Sequence, residues 1–393
     1  MKPHTIARAG LALMAVAGAG HAWEAGKLYD FPQMPLIGES GRSDTAWYFD
    51  STKNADSVYA RLPIPVREGG WSGLEPDTSD PTGHTFWTVN DRGLNVAHEL
   101  GSRSDKVFPF PGYHHKLLRV KVEDGAVKVL STDSIRSLED ESVFTTGLVS
   151  TKASTGETAL RMRLDSAVID TSAGNEIQPV PNGYDFESVR RHGSSLFLSD
   201  EYGPFIVEVD LADLRIKKEW YPGNGLPEVL KKRRANRGME AMAVTPSGKV
   251  VGILQSPMYN QAGGGKANTT RDGEVVRMLW LDPATGDTRE FLYPLDLEKG
   301  YRRGRDTKVS EMVALSETRF LVLEQGLENA GPKQYRIDIH EIDISRASDV
   351  SAPGPDGMLV GGRTLEEIAS IPGALANTLI RPAAKRPLLE DLL

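Results

Sequence analysis

The chain has 393 residues, no cysteine and a formal net charge of −8 at pH 7. A chain of this length can bury a large core without disulfide bonds, and the absence of cysteine excludes disulfide and thiolate chemistry. The acidic balance argues against general nucleic-acid binding, which depends on clustered positive charge.

The N-terminus is typical of a bacterial secretory signal. Lys2 and Arg8 precede a short apolar stretch at residues 9–20, and small residues occupy the two positions that determine cleavage. The stretch is roughly a dozen residues long, whereas a spanning helix needs about 20. A membrane anchor or a buried helix is the alternative. We predict that residues 1–22 are a signal peptide, with cleavage after residue 25 as a variant, and that the protein is periplasmic or secreted without stable membrane insertion.

A pattern of two short apolar strands recurs four times along residues 23–393. In each copy a glutamate precedes a strand, a turn, a second strand and a group of polar residues. The four glutamates are Glu75, Glu187, Glu240 and Glu311. Each copy is followed by a second hairpin, at residues 115–125, 205–213, 275–286 and 335–346.

Two hairpins make a four-stranded antiparallel unit, and radial repetition of that unit makes a β-propeller. We therefore predict an all-β propeller of about six blades, within a range of roughly five to seven. A β-sandwich or several small β domains is the alternative. No proline- or serine-rich linker divides the chain, so residues 23–393 are predicted to form one monomeric domain.

Long insertions follow the second strands, at residues 95–113, 257–273 and 327–333. In an up-and-down blade this connection lies on the face where the first strand begins. We expect the glutamates, the polar groups and the long loops to converge on that face, where propellers commonly carry function.

The four glutamates are the predicted metal ligands. Crowded carboxylates repel one another and need a cation, protons or arginines. An oxygen-only ligand set suits Ca²⁺, with Mg²⁺ as the alternative. The competing interpretation is that each glutamate caps a strand or pairs with a nearby arginine. No P-loop or G-x-G-x-x-G unit occurs, so no organic cofactor is predicted.

The polar groups that end the second strands supply catalytic candidates. Asp91, Asp200 and Glu201 are predicted to orient a water as general base, and Gln255 is predicted to contact substrate. Aspartates at such positions also favour turns by bonding their own backbone, which is the alternative for Asp91 and Asp200.

A basic segment at residues 231–238 leads directly into Glu240. Arginine forks suit phosphate and carboxylate groups, although such a run is also typical of a solvated loop. The predicted substrate-binding residues are Arg92, Arg234, Asn236, Arg237 and Gln255. The histidines have no paired zinc spacing, and no G-x-S-x-G elbow supports a serine hydrolase.

Five motifs resemble the phytase-like family, also described as "esterase-like activity of phytase". They are NDRG at residues 90–93, FESV at 186–189, SDEYGPF at 199–205, NRGMEAMA at 236–243 and LQSP at 254–257. The resemblance covers most of residues 60–345 and implies an exported bacterial propeller with ester or phosphoester hydrolase activity. It would place in the site Glu75, Asp91, Glu187, Asp200, Glu201, Asn236, Arg237 and Glu240.

Family members carry a further glutamate–glycine repeat after the segment that resembles residues 386–392, and this sequence stops there. We therefore expect either that the given sequence is truncated or that its last blade is incomplete. The first functional hypothesis is a cation-assisted hydrolase of small phosphoesters or carboxylic esters, with anionic or ester substrates. The second is a non-catalytic periplasmic binding propeller with a structural metal, and a lactonase is a third.

Overall fold

The computed structural model of the protein describes residues 31–32, 34, 45–47, 63–65, 67–100, 103–108, 110–153, 157–163, 168–169, 176–265, 268–295, 304–327, 335–390 and 392. The predicted signal segment and loop residues 328–333 lie outside the described residues. Within the described part of the chain, no helix is long and apolar enough to cross a membrane.

Strands are the dominant elements of the described chain. Strands β1 to β13 are Thr45–Trp47, Pro63–Pro65, Trp71–Pro76, Thr85–Asn90, Val96–Leu100, Arg103–Phe108, Lys116–Glu123, Ala126–Ser134, Thr158–Arg163, Val168–Ile169, Glu176–Ile177, Phe186–His192 and Ser195–Asp200. Strands β14 to β26 are Ile206–Asp210, Ile216–Pro222, Gly225–Leu226, Met239–Val244, Val250–Leu254, Val275–Leu281, Thr288–Pro294, Thr307–Ala314, Arg319–Leu327, Tyr335–Asp343, Leu359–Val360, Arg363–Thr364 and Ala384–Leu389. Helix α1 is Leu365–Ala369, and 3₁₀ turns span Glu228–Lys232, Asn268–Asp272, Gly304–Asp306 and Leu375–Asn377.

Four sheets each contain four antiparallel strands. In spatial order the first is β3-β4-β7-β8, the second β12-β13-β14-β15, the third β17-β18-β19-β20 and the fourth β21-β22-β23-β26. The short strand β16 adds a parallel pairing at the outer edge of the second sheet. The four-stranded antiparallel unit predicted from the repeated hairpins is thus confirmed, whereas the blade number stays a prediction.

Burial differs between the strands of these sheets, and the second strands are buried most. Strands β13 and β18 are buried at every position, whereas β8 has no fully buried residue. Successive side chains of a strand point to opposite faces, so burial at every position requires packing on both faces. The largest apolar cluster supplies this packing between the second, third and fourth sheets, for example through Phe197, Val251 and Val322.

The first strands of the four sheets pack beside one another in chain order. Strand β12 contacts β3 and β17, and β17 contacts β21. The repeated glutamates were predicted near the beginnings of these first strands. The packing therefore brings the four glutamate-bearing strands together in one region of the molecule.

Two parts of the topology differ from the sequence prediction. The insertion at residues 95–113 contributes β5 and β6 to a separate sheet with β9, β10 and β11. The predicted turn at 344–346 does not lead to the fourth strand of its sheet, because that strand is β26, about forty residues later. Residues 384–389 therefore complete the fourth sheet.

The excursion between β23 and β26 is fastened to the third sheet by a buried ion cluster. Arg277 in β19 is 1% exposed, and its Nε donates to Glu366 Oε1 of α1 at 2.6 Å. Its Nη1 lies 3.4 Å from Glu290 Oε1. A capping box at Thr364 and Glu367 starts α1, so the helix presents Glu366 from a fixed position.

We expect Arg277→Met to lower the free energy of unfolding by about 3–5 kcal/mol, because it leaves two buried carboxylates without their cation. Chemical denaturation measures the change. Arg289→Met in the adjacent strand is the matched control, since Arg289 is exposed and lies over the Trp280 ring at 5.1 Å. The control should lose less than about 1 kcal/mol. Equal losses in the two variants would contradict the structural role given to Arg277.

Candidate functional site

Each first strand contains a register shift near its beginning. In β12 the shift lies between Phe186 and Ser188, so Glu187 is the unpaired residue. In β17 it lies between Met239 and Ala241, so Glu240 is unpaired. A bulge of this kind redirects a side chain and interrupts the pairing, which makes it a frequent device near functional sites.

The other two glutamates do not occupy the same position. In β21 the unpaired residue is Ser310, and Glu311 pairs with Leu323. In β3 pairing likewise resumes at Glu75, opposite Trp87, after the bulge. A shift of one residue turns a side chain to the other face of a strand. The four glutamates predicted as one set of metal ligands therefore form two separate pairs.

Three carboxylates meet at the open end of the β12–β13 hairpin, opposite its turn. One oxygen from each of Asp185, Glu187 and Glu201 lies within 4.8 Å of the others, and we call these residues the acidic cluster. Asp185 precedes β12 and Glu201 follows β13, and the Glu201 amide donates to the Asp185 carbonyl at 2.9 Å. The Ser72 hydroxyl donates to Glu187 Oε2 at 3.0 Å, which ties the cluster to the first sheet.

Burial and mutual repulsion raise the pKa values of Glu187, Asp91 and Glu240 at this site. The pKa of Glu187 is raised well above its ordinary value, first by burial and then by Asp185 and Glu201. Burial also raises the pKa of Asp91 to about 7, with Asp185 adding to the effect. The pKa of Glu240 rises to about 8 through burial and the charge of Glu201. Such a group of carboxylates accumulates protons unless a cation joins it.

Two buried oxygens at the site have no hydrogen-bond partner among the described residues. Gln255 donates through Nε2 to Glu201 Oε1 at 2.9 Å, which leaves its own Oε1 unused. Asp185 Oδ2 forms an ion pair with Arg92 Nε at 3.3 Å but accepts no hydrogen bond. Buried oxygens that accept no hydrogen bond, beside carboxylates, fit a hard divalent cation such as Ca²⁺ or Mg²⁺.

Arg92 and Asn236, both predicted to bind substrate, bind each other. Arg92 Nη2 donates to Asn236 Oδ1 at 2.8 Å, and its Nη1 donates to Glu157 at 3.1 Å. The Arg92 amide donates to Asp185 Oδ1 at 3.1 Å. Asn236 has a left-handed backbone with φ of 53°, which asparagine tolerates better than most residues. Their observed contacts position Asp185 and the basic loop.

Asp200, predicted as a general base, is fully buried and bonded to the backbone. Its Oδ2 accepts from the Asp185 amide at 2.5 Å, and its Oδ1 accepts from the Gly203 amide at 2.7 Å. These bonds close the turn that carries Asp185 and Glu201. The alternative interpretation of Asp200 as a turn residue matches this geometry.

Glu75 and Glu311 lie around Arg190 rather than in the acidic cluster. Arg190 Nη2 donates to Glu311, and its Nη1 lies 3.4 Å from the Leu74 carbonyl. Glu75 accepts from the Arg191 amide at 3.1 Å. Burial raises the pKa of Glu75 to about 7, and Arg190 opposes the rise. These two glutamates match the alternative of pairing with an arginine.

The basic residues near the site differ in whether their side chains are already hydrogen-bonded. Arg234 is held in its loop, because its Nη1 lies 3.3 Å from both Ser256 Oγ and the Arg305 carbonyl. Arg237 makes no hydrogen bond or ion pair with a described residue, and it lowers the pKa values of Glu201 and Glu240 against the larger effect of burial. Lys308 in β21 likewise makes no hydrogen bond or ion pair with a described residue, and its charge also lowers the pKa values of Glu201 and Glu240.

Sequence reasoning missed Asp185 and Lys308. Asp185 stands directly before the FESV motif. The sequence around it resembles a turn and does not indicate that the hairpin places Glu201 next to it. Lys308 stands two residues before Ser310, the bulge residue of its strand. Aligning the copies on the bulge instead of on the glutamates would have drawn attention to Lys308.

The fold and the site together define an all-β protein with a buried, oxygen-rich acidic centre. A family model described as phytase-like, esterase-like activity of phytase, matches residues 66–357. The chain therefore belongs to the phytase-like family, and the predicted family is confirmed. Membership points to a hydrolase.

Three solved structures show a distant likeness to the chain, and no curated protein matches it. Hydrazine synthase of Kuenenia stuttgartiensis is 12% identical with a TM-score of 0.29, over 64% of this chain and 65% of that one. The GH43 protein BlXynB of Bacillus licheniformis is 9% identical with a TM-score of 0.28, over 70% of this chain and 41% of that one. A Dyadobacter fermentans protein of unknown function is 13% identical with a TM-score of 0.22, over 70% and 95%. TM-scores this low carry no argument about fold or activity.

We expect the metal-free protein to lose stability as pH rises from about 5 to about 8, because folded Glu240 keeps its proton over this range while unfolded Glu240 does not. The folded state then binds more protons than the unfolded state, so the free energy of unfolding falls with pH. Glu240→Gln should make this fall shallower. Urea denaturation at several pH values in the presence of a chelator measures the slope.

Glu123→Gln is the control for this slope. Hydrogen bonds and charge from Lys128 and Lys121 lower the pKa of Glu123, so it titrates below the range tested. The control should follow the wild-type slope. If Glu240→Gln also follows it, the raised pKa of Glu240 is refuted.

Proposed function

We propose that the protein is an exported hydrolase of phosphoesters or carboxylic esters that uses a divalent cation at the acidic cluster. The single observation that carries the proposal is the meeting of Asp185, Glu187 and Glu201 within 4.8 Å, with Asp185 and Glu201 buried and Glu187 half-buried. Structural sites without a cation seldom bury so many carboxylates together, because their repulsion is costly. Family membership supports the hydrolase class.

The ligands of the cation would be Asp185, Glu187 and Glu201, with Glu240 and the free Oε1 of Gln255 as further oxygens. Ca²⁺ is favoured and Mg²⁺ is the alternative, because both take oxygen ligands. A cation bound there would polarise a phosphoryl or carbonyl oxygen and lower the pKa of a water. Glu75 and Glu311, paired around Arg190, are assigned to the support of the first strands.

Asp91 is the best-placed general base. Its Oδ1 accepts from the Gly93 amide at 2.8 Å, while its other oxygen has no hydrogen-bond partner among the described residues. That oxygen would take a proton from the attacking water. The water oxygen bonds to phosphorus or to the carbonyl carbon, the bond to the ester oxygen breaks, and the leaving alcohol receives a proton.

We further propose that residues 23–393 form one monomeric propeller in the periplasm or outside the cell, after removal of residues 1–22. The packing of four first strands in chain order supports the propeller, and about six blades remain the favoured number. The basic N-terminus with its short apolar stretch supports export.

Hydrolysis of p-nitrophenyl phosphate and p-nitrophenyl acetate, with Ca²⁺, with Mg²⁺ and with chelator, tests this function. We expect turnover of at least one ester that disappears in chelator. Glu187→Gln should lower kcat/KM by more than about 100-fold, because the cation contributes several kcal/mol to the transition state. Glu187→Gln should also remove the rise in melting temperature that the cation gives.

Glu208→Gln, in the same sheet, is the matched control. It should keep the wild-type kcat/KM and the rise in melting temperature that the cation gives. Glu208 lies away from the cluster and binds Ser195 at 2.6 Å. A cation-dependent melting temperature without turnover of either ester, or of a lactone, would favour the non-catalytic binding protein instead. Full turnover in Glu187→Gln would refute the proposed site.

A further inference from the structure

Tyr113 packs against the turn that carries Asp91. Gly93, the last residue of this turn, has a left-handed backbone with φ of 77°, and a Cβ atom there would lie 2.7 Å from Tyr113 Cδ1. Only glycine therefore lets the ring approach the turn this closely. The Lys116 amide donates to the Asn90 side chain, which fastens the start of β7 to the same turn. These contacts hold the tyrosine beside Asp91.

The hydroxyl of Tyr113 is a buried donor that has no hydrogen-bond partner among the described residues. Burial raises the pKa of Tyr113 well above its ordinary value, and the charges of Glu68 and Asp91 add to the rise. The phenol therefore keeps its proton at neutral pH. The two carboxylates lie close enough to act on the hydroxyl, but neither of them accepts a hydrogen bond from it.

Asp91 offers an unused acceptor next to this unused donor. The Asp91 amide donates to the Gly70 carbonyl at 2.8 Å, and its Oδ1 accepts from the Gly93 amide at 2.8 Å. A Cβ atom at Gly70 would lie 2.4 Å from the same Oδ1, so the carboxylate occupies the space that this glycine leaves. Oδ1 is thus fixed, while Oδ2 has no hydrogen-bond partner among the described residues.

A buried donor beside a free acceptor fits one small group that bonds to both. Buried polar groups nearly always have a partner, which is either a protein group or a water, and a buried water needs two to four polar partners. A water between Tyr113 Oη and Asp91 Oδ2 would accept a hydrogen bond from the phenol and donate one to the carboxylate. Its second lone pair would then be free for a substrate.

From this arrangement, and resting on the proposed hydrolase function, we propose that Tyr113 is a catalytic residue that, together with Asp91, holds the water that attacks the ester. The water gives one proton to Asp91, and its lone pair forms the new bond to phosphorus or to the carbonyl carbon. The electron pair of the broken ester bond leaves with the alcohol oxygen. That oxygen takes up a proton, which balances the one held by Asp91. Tyr113 keeps its own proton and fixes the direction of attack.

Tyr113→Phe tests this role, because it removes the hydroxyl and keeps the ring against Gly93. We expect kcat to fall about 10- to 100-fold while KM changes by less than about threefold, since the hydroxyl contacts the water and not the substrate. The fall should be the same for p-nitrophenyl phosphate and p-nitrophenyl acetate, wherever the wild type hydrolyses both, because one water attacks either ester. A raised KM with unchanged kcat would overturn the proposal.

Tyr221→Phe is the matched control, and Asp91→Asn is the matched partner. Tyr221 lies in the outer strand β15, where its ring packs on Phe205 with centroids 5.5 Å apart, so its loss of a hydroxyl should leave kcat unchanged. Tyr113→Phe added to Asp91→Asn should lower kcat by less than a further factor of about three, because both groups act on one water. Full additivity of the two losses would show independent roles and overturn the proposal.

High-resolution crystal structures of the wild type and of Tyr113→Phe separate this proposal from the hydrolase function. The wild type should show an ordered water within about 3.2 Å of both Tyr113 Oη and Asp91 Oδ2, and the variant should lack it. Such a water supports the site even if neither ester is hydrolysed, in which case only the proposed activity fails. Absence of this water from the wild type overturns the proposal even if esters are hydrolysed.

Discussion

The burial of like charges at one end of the β12–β13 hairpin is the constraint on which the site depends. Asp185 and Glu201 are brought together by the backbone, and Asp200 closes the turn behind them with two amide hydrogen bonds. A turn built in this way cannot relax to separate its carboxylates. Their repulsion is therefore met by protons, by Arg92 or by a cation, and each of these fixes the charge of the site differently.

Arg190 gives the first strands a second point of attachment, away from the acidic cluster. From β12 its guanidinium donates to the Leu74 carbonyl of β3 and to the Met312 carbonyl of β21. It also donates to the Glu311 side chain of β21. The bulges decide which glutamates join this group and which join the cluster. A one-residue difference in register thus separates carboxylates that support the sheets from carboxylates that are free to bind a ligand.

The four-stranded units were predictable because apolar strands and turns repeat visibly along the chain. The bulges were not, since one extra residue hardly changes an apolar pattern, and the equivalence of Glu75 and Glu311 with Glu187 and Glu240 failed for that reason. The grouping of Glu187, Glu201 and Glu240 on one face could be anticipated from their repeat positions. The roles of Asp200 and Arg92 could not, because their partners are set by turns and by residues distant in sequence.

The distance in sequence between β23 and its partner β26 affects how the fourth sheet can form during synthesis. During synthesis β23 has its partner β22 on one side, but its other edge stays open until residues 384–389 have been made. An open edge of this kind pairs readily with other chains. A route that keeps the polypeptide unfolded until it is complete would let the fourth sheet form in a single event, with α1 docking beside the third sheet as the edge is covered.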